Sequence, residues 1–271
     1  MLGIELMNFL DSRNETAFGF HRGNFNVDAP FTELAGLFSG IDCVVNVAAY
    51  TDVDKAEIEV EKAYESNHKL PRVLANITDR VDAKLIHVST DYVFQGDAKI
   101  PYSVHDAPNP ISVYGKSKLA GEQAVLSVPN ASVVRTAWLY GQHGRCFPKV
   151  IASKLNNGEP IRVVGDQIGT PTYTLDLAEY IFRLGRSGSS AQVLHAVSSG
   201  SASWFEFALE VAASLGVAND QVIEVLSSQY QSTAPRPEFS LLEPSSIEGY
   251  SLPHWRDSWQ TAQRLVLSEY A

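Results

Sequence analysis

Leu85-Ile86-His87-Val88-Ser89-Thr90-Asp91-Tyr92-Val93-Phe94 begins as a near-continuous apolar run and turns polar at its end. Such a run, lacking strict alternation, fits a strand buried on both faces of a parallel sheet. Val44-Val45-Asn46-Val47 reads the same way, and the stretches between such runs carry helical patterns. The candidate strands are 17–20, 43–47, 85–89 and 132–135. The candidate helices are 31–38, 55–77 in two pieces broken before Pro71, and 112–125, entered after Pro110 with Ser112 as N-cap. Strand and helix taking turns predicts an α/β fold, a doubly wound parallel (Rossmann-like) sheet with right-handed crossovers. Functional residues then belong at the carboxyl ends of the strands, at 48–51, 89–92 and 136–140.

Beyond Gly141 the pattern loosens. Residues 161–164 and 193–197 read as short strands, and 175–184 and 202–215 as helices, the second capped by Ser201. Loops are expected at 165–174, 232–237 and 243–248. There is no internal repeat, low-complexity tract or sharp linker, so two lobes sharing one chain are expected.

Composition narrows the function classes. With 271 residues, 45% hydrophobic and 19% charged, the chain can bury a substantial core. A net charge of −10 without a clustered basic stripe argues against nucleic acid or an anionic membrane as partner. No apolar run approaches the ~18–20 residues of a membrane span, and nothing at the N-terminus reads as a secretion signal. Cys43 and Cys146 are the two cysteines, too few and too distant for a disulfide framework, which points to a reducing cytoplasm. His21, His68, His87, His105, His143, His195 and His254 are scattered without ligand spacing, so no metal site is expected. No nucleophile-elbow signature suggests a serine hydrolase.

Tyr114-Gly-Lys-Ser-Lys118 supplies the chemistry. Residues i and i+4 share a helical face, so Tyr114 and Lys118 point the same way. An ammonium beside a phenol favours the phenolate and lowers its pKa from ~10, making Tyr114 a usable proton donor. Taken alone, the pair also fits an ordinary exposed helix face.

Its neighbours extend the pattern. In order come Asn46-Val-Ala-Ala-Tyr-Thr-Asp-Val-Asp-Lys-Ala-Glu57, Ser89-Thr-Asp-Tyr-Val-Phe94, Tyr114/Lys118, Arg135-Thr-Ala-Trp-Leu-Tyr-Gly141, Asp166-Gln-Ile-Gly-Thr-Pro-Thr172 and Arg236-Pro237. Together these resemble the dTDP-4-dehydrorhamnose reductases, sugar-nucleotide members of the extended short-chain dehydrogenase/reductases, over nearly the whole chain. The resemblance implies NADPH-dependent reduction of a 4-keto group on a dTDP-linked 6-deoxysugar, in dTDP-rhamnose and cell-surface polysaccharide biosynthesis. It implies catalytic Thr90, Tyr114 and Lys118: Thr90 orients the carbonyl, Tyr114 donates the proton, and Lys118 holds the nicotinamide ribose and tunes Tyr114. Leu2, Gly3, Arg22, Asn26, Val27, Ala48, Ala49, Tyr50, Tyr114 and Lys118 would meet the cofactor. Thr51, Thr90, Asp91, Tyr92 and Trp138 would meet the sugar nucleotide. A homodimer is compatible with the resemblance. It further implies a dinucleotide-binding domain at 1–142 and a substrate lobe at 143–271, with 173–200 returning to the first domain.

Several features depart from the family. Arg22, after the strand expected at 17–20, favours NADPH through the 2′-phosphate, with NADH as alternative. Asn26 stands where the family usually has Asp, and Arg145-Cys146 replaces a pair of asparagines before Phe147. No Gly-x-x-Gly-x-x-Gly occurs; Met1-Leu-Gly-Ile-Glu-Leu6 matches only the end of the family's glycine loop. The expectation is a natural start about a dozen residues upstream, or else a degenerate product, and an open sheet edge where the first strand belongs. Two rival readings stay open: another nucleotide-sugar reductase or epimerase, and a catalytically silent binding homologue like the beta subunit of methionine adenosyltransferase.

Overall fold

The protein is described from a computed structural model, which covers residues 1–21, 23–158, 160–189 and 192–270. Two helices, α1 (Leu2–Ser12) and α2 (Phe31–Leu37), precede strand β1 (Cys43–Asn46). Then come α3 (Val53–Ala56), α4 (Val60–Tyr64), a wide turn of π-helix (Glu65–Lys69) and α5 (Leu70–Val81). Next are β2 (Lys84–Thr90), α6 (Val113–Val125), β3 (Ala131–Thr136), β4 (Leu139–Tyr140) and α7 (Phe147–Asn156). The chain continues through β5 (Ile161–Val164), β6 (Ile168–Gly169), β7 (Thr172–Tyr173), α8 (Thr174–Arg186) and β8 (Val193–His195). It finishes with β9 (Ala202–Ser203), α9 (Trp204–Ser214), β10 (Val222–Val225) and α10 (Trp255–Val266).

The main sheet is parallel throughout, in the order β1-β2-β3-β8. Its inner strands are apolar because helices cover both faces. On one face α1 and α8 bury Leu2, Leu6, Leu177 and Ile181 against Ile86 and Val134. On the other, α2 and α5 bury Leu34, Leu74 and Ile77 against Leu85 and Val133. A separate core joins α7, α9 and α10, with Phe207, Trp255 and Trp259 at its centre. Three two-stranded ladders (β5 with β10, β4 with β7, β6 with β9) accompany it.

Four expectations need correction. Residues 17–20 form no strand, because among the described residues no strand lies alongside them to accept their backbone bonds; Phe20 packs instead on Phe25 and Phe38. Among the described residues β1 pairs with β2 alone, so its other edge is open. The helical stretch 55–77 breaks at 57–59, while Pro71 follows the wide π turn at Glu65–Lys69, through which the helix continues without a break. The cap of α9 is Ser203 rather than Ser201: its hydroxyl accepts the Glu206 N–H, and the Glu206 carboxylate accepts the Ser203 N–H. Finally, the loop expected at 165–174 contains β6 and β7.

Candidate active site

β2 ends at Thr90, where the chain leaves the sheet through a short 3-10 turn, Asp91–Val93. The Thr90 hydroxyl donates to Asp91 Oδ1 at 2.9 Å and accepts the Tyr92 N–H at 3.2 Å, so its position is set from both sides. Helix α6 is laid against this turn. Ser112 caps it by accepting the Gly115 N–H. A Cβ on Gly115 would stand 2.2 Å from the Tyr92 carbonyl oxygen, so a glycine must follow Tyr114. The resulting approach brings the Tyr114 phenol into electrostatic reach of the Thr90 hydroxyl. It also sets the Tyr92 ring edge-on to Tyr114, centroids 5.5 Å apart.

One turn later, Lys118 is 2% exposed and donates from Nζ to the Val88 carbonyl at 2.6 Å. The electrostatics of the group are dominated by burial. Burial raises the Tyr114 phenol well above its ordinary 10.0, with the Thr90 hydroxyl pulling back and the Asp91 and Tyr92 charges adding to the rise. The lowering expected from Lys118 is therefore not realised: its Nζ is committed to Val88, and burial outweighs the rest. Lys118 itself is lowered by burial to about 8, against the pull of Glu122. The Asp91 carboxyl is pushed up by burial to about 6, while bonds from Ser240 and Thr90 hold it down. Its Oδ2 is buried without a well-formed partner among the described residues, although Ser240 lies close.

The loop after β1 forms the neighbouring wall. Asn46 Oδ1 accepts the Ala48 N–H at 3.1 Å. Buried Asn67 accepts the Tyr50 N–H, donates to the Tyr50 carbonyl and reaches Ser117 of α6, tying this loop to the Tyr114 helix. The Tyr50 hydroxyl donates to Glu59 at 2.6 Å, and Thr51 is exposed. Asp54 then holds the 232–237 loop: Oδ1 accepts the Ala234 N–H and Oδ2 binds Arg236 at 2.6 Å. The Arg236 charge in turn pulls the Tyr92 phenol down, but burial and Asp91 outweigh it and push Tyr92 up to about 12.

Trp138 follows β3 and packs against the cluster of Val93 and Phe94. Its backbone sits in the left-handed region at φ +46°, and its indole stacks on Trp204 at 3.5 Å with 5° between planes. A Cβ on Gly169 would meet that indole at 2.5 Å, so glycine there leaves room for the ring.

Thr90, Asp91, Tyr92 and Tyr114 thus form one contiguous group with Lys118 beneath it, and Ala48, Ala49, Tyr50 and Thr51 follow the adjacent strand. Gly3 lets α1 approach β1, since a Cβ there would lie 3.2 Å from Val47. Among the described residues no side chain caps the α1 N-terminus, so its free amides suit a phosphate. The Leu2 side chain is buried in the core, leaving its backbone for any cofactor contact. Asn26 is exposed and accepts the Asp28 N–H in a local turn beside half-buried Val27. Arg22 lies outside the described residues. Asn46, Asp54, Asn67, His87 and Ser240 were not anticipated. Asn46 and His87 had a signal, as polar residues inside apolar strands; Ser240 had none.

The RmlD substrate binding domain model matches residues 1–270. A dTDP-4-dehydrorhamnose reductase of Mycobacterium tuberculosis is 44% identical over 230 residues, covering 82% of this chain and 76% of its own. A probable dTDP-4,6-dihydroxy-2-methyloxan-3-one 4-ketoreductase of Streptomyces antibioticus is 40% identical over 269 residues, 97% of this chain and 90% of its own. The crystal structure of dTDP-4-dehydrorhamnose reductase from Bacillus anthracis in complex with NADP superposes with a TM-score of 0.89 at 33% identity, covering 96% of this chain and 94% of that one. Sequence and fold agree along the whole length: the chain belongs to the RmlD substrate-binding-domain family.

Proposed function

We propose that this protein reduces the 4-keto group of dTDP-4-dehydro-L-rhamnose with NADPH, yielding dTDP-L-rhamnose. The observation that carries the reading is the packing of the Tyr114 helix against the turn at residues 90–92, at the carboxyl end of a central strand, with buried Lys118 one helical turn below. When bound, NADPH supplies the hydride. The uncapped start of α1, Gly3 and residues 48–50 would hold it, with Tyr114 and Lys118 at its reactive end. Thr90 orients the substrate carbonyl through its hydroxyl. Tyr114 delivers a proton to the developing alkoxide, and its high pKa keeps it protonated until that charge appears. Asp91 and Tyr92 face the sugar nucleotide, and Trp138 offers an apolar face to the deoxysugar.

The division into lobes at 1–142 and 143–271 belongs to the same proposal. It is supported by the separate core around Phe207, and the return of 173–200 by α8 and β8, which join the first lobe's packing and sheet. A cytoplasmic location and a homodimer complete it; two free cysteines, Cys146 buried and Cys43 half-buried, favour the former. A second reading, reduction of a different dTDP-4-ketosugar, is favoured by the 40% identity to the probable dTDP-4,6-dihydroxy-2-methyloxan-3-one 4-ketoreductase.

The test is consumption of NADPH with dTDP-4-dehydro-L-rhamnose and NMR identification of the product. Tyr114→Phe should lower turnover by roughly 10²–10⁴-fold with cofactor affinity nearly intact. Unchanged turnover in that variant would remove Tyr114 from the chemistry. Absence of dTDP-L-rhamnose among the products of the wild type would overturn the substrate assignment.

A further inference from the structure

His87 is a fully buried titratable residue that the reduction leaves idle. It lies in β2, opposite Asn46 of β1 and against Lys118 of α6. The backbone orients the Asn46 amide: Oδ1 accepts the Ala48 N–H at 3.1 Å, so Nδ2 faces His87 Nδ1 at 3.0 Å. An amide nitrogen only donates, so Nδ1 must accept. Burial and the adjacent Lys118 charge hold the imidazole well below its ordinary range, so the ring is neutral. Its single proton therefore sits on Nε2, which faces Lys118 Nζ at 3.4 Å. An ammonium offers three donors and no acceptor. Charged Lys118 would meet the Nε2–H donor to donor, whereas an amine offers a lone pair and completes the chain from Ala48 to the Val88 carbonyl.

We propose that His87, locked by Asn46 as an Nε2–H donor, is a positioning residue that biases Lys118 toward its amine form. The other ionisable groups around Lys118 do not cancel this bias. Glu122, on the same helix, favours the ammonium, but its carboxylate is taken up by Arg135 of β3 at 2.8 Å. Arg135 and His195 of β8, 3.5 Å apart, carry no compensating negative charge. Asp91 and Tyr114, at the cleft end, are both held toward their neutral forms by burial. The functional meaning rests on the part given to Lys118 in the proposed reduction; the chemistry rests on the hydrogen-bond geometry.

NMR of the full-length chain tests this without substrate, by the ring nitrogen shifts of His87 and the Cε shift of Lys118 followed against pH. The expected result is an Nε2–H ring and a Lys118 midpoint at least about one pH unit below the ordinary ~10.4. Asn46→Asp keeps an oxygen for the Ala48 N–H but presents an acceptor to Nδ1. The ring should switch to Nδ1–H, turn a lone pair toward Lys118, and raise the Lys118 midpoint by about one unit or more. An Nδ1–H ring in the wild type, or a ring that switches without moving Lys118, overturns the proposal. Should Asn46→Asp fail to fold, the two wild-type readings decide: an Nε2–H ring with a lowered Lys118 midpoint sustains the assignment, and an Nδ1–H ring or an ordinary midpoint ends it. Wild-type protein inactive on every dTDP-ketosugar would count against the proposed function and leave both NMR readouts standing.

Discussion

Asp91→Asn should flatten the stability of this protein against pH. The Asp91 carboxyl is 2% exposed, and burial raises it from 3.8 to about 6. Between those values the folded state binds more protons than the unfolded chain, so wild-type stability falls as pH rises through that window. The difference, 6 − 3.8 = 2.2 pH units, at ~1.36 kcal/mol each, is about 3 kcal/mol. It is absent below about pH 4 and fully felt above about pH 7. Asparagine keeps an Oδ1 acceptor for Thr90 and cannot ionise. Its amide still changes packing and hydrogen bonding by some constant amount, so the informative quantity is a difference of differences. Urea unfolding of both proteins near pH 4 and pH 8 should show the variant gaining about 3 kcal/mol relative to the wild type between the two conditions. An offset independent of pH would refute the reasoning, because it would mean that Asp91 ionises as readily in the fold as in water.

Glu122→Gln should cost about 3–5 kcal/mol in denaturant unfolding, since it strands the Arg135 guanidinium in the core; the two side chains are 1% and 4% exposed. A loss below about 1 kcal/mol would show that Arg135 finds other partners. Gly169→Ala should raise the KM for the sugar nucleotide while sparing cofactor affinity, because the new methyl would displace the Trp138 indole; equal effects on both, by calorimetry and kinetics, would contradict this. Arg22→Ala should weaken NADPH by ~1.5–3 kcal/mol and leave NADH unaffected, as expected of a charge-assisted bond to the 2′-phosphate. Equal losses for both cofactors would give Arg22 a purely local role.

The inner strands were legible because burial on two faces leaves a nearly unbroken apolar run, and β2 and β3 emerged within a residue of their expected ends. Strand 17–20 was misread because residue type alone cannot supply the neighbour a strand needs; Phe18 and Phe20 have β-formers' side chains and no ladder to join. The helix break was misplaced because Pro71 reads as a stop but follows a π turn through which the helix continues. At the site, Thr90, Tyr114 and Lys118 could be found from spacing and resemblance. The sign of the Tyr114 perturbation could not, because i,i+4 spacing says that a lysine is near and nothing about its burial or about the Val88 carbonyl that engages it. Ser240 and Asp54 act across more than a hundred residues of chain, a distance over which a single sequence carries no signal.

The Trp138–Trp204 stack gives the molecule an optical reporter of its own. Two indoles stacked 3.5 Å apart and nearly parallel couple their electronic transitions, whereas Trp255 and Trp259 are sealed in the α7–α9–α10 core. Any rotation of Trp138 would break that coupling and change the near-ultraviolet circular dichroism, with the other two indoles as a constant background. If Trp138 meets the deoxysugar as proposed, occupancy of that site could then be followed in the unlabelled protein, during turnover and without a coupled assay. The signal would come from the aromatic stack itself rather than from consumption of the cofactor.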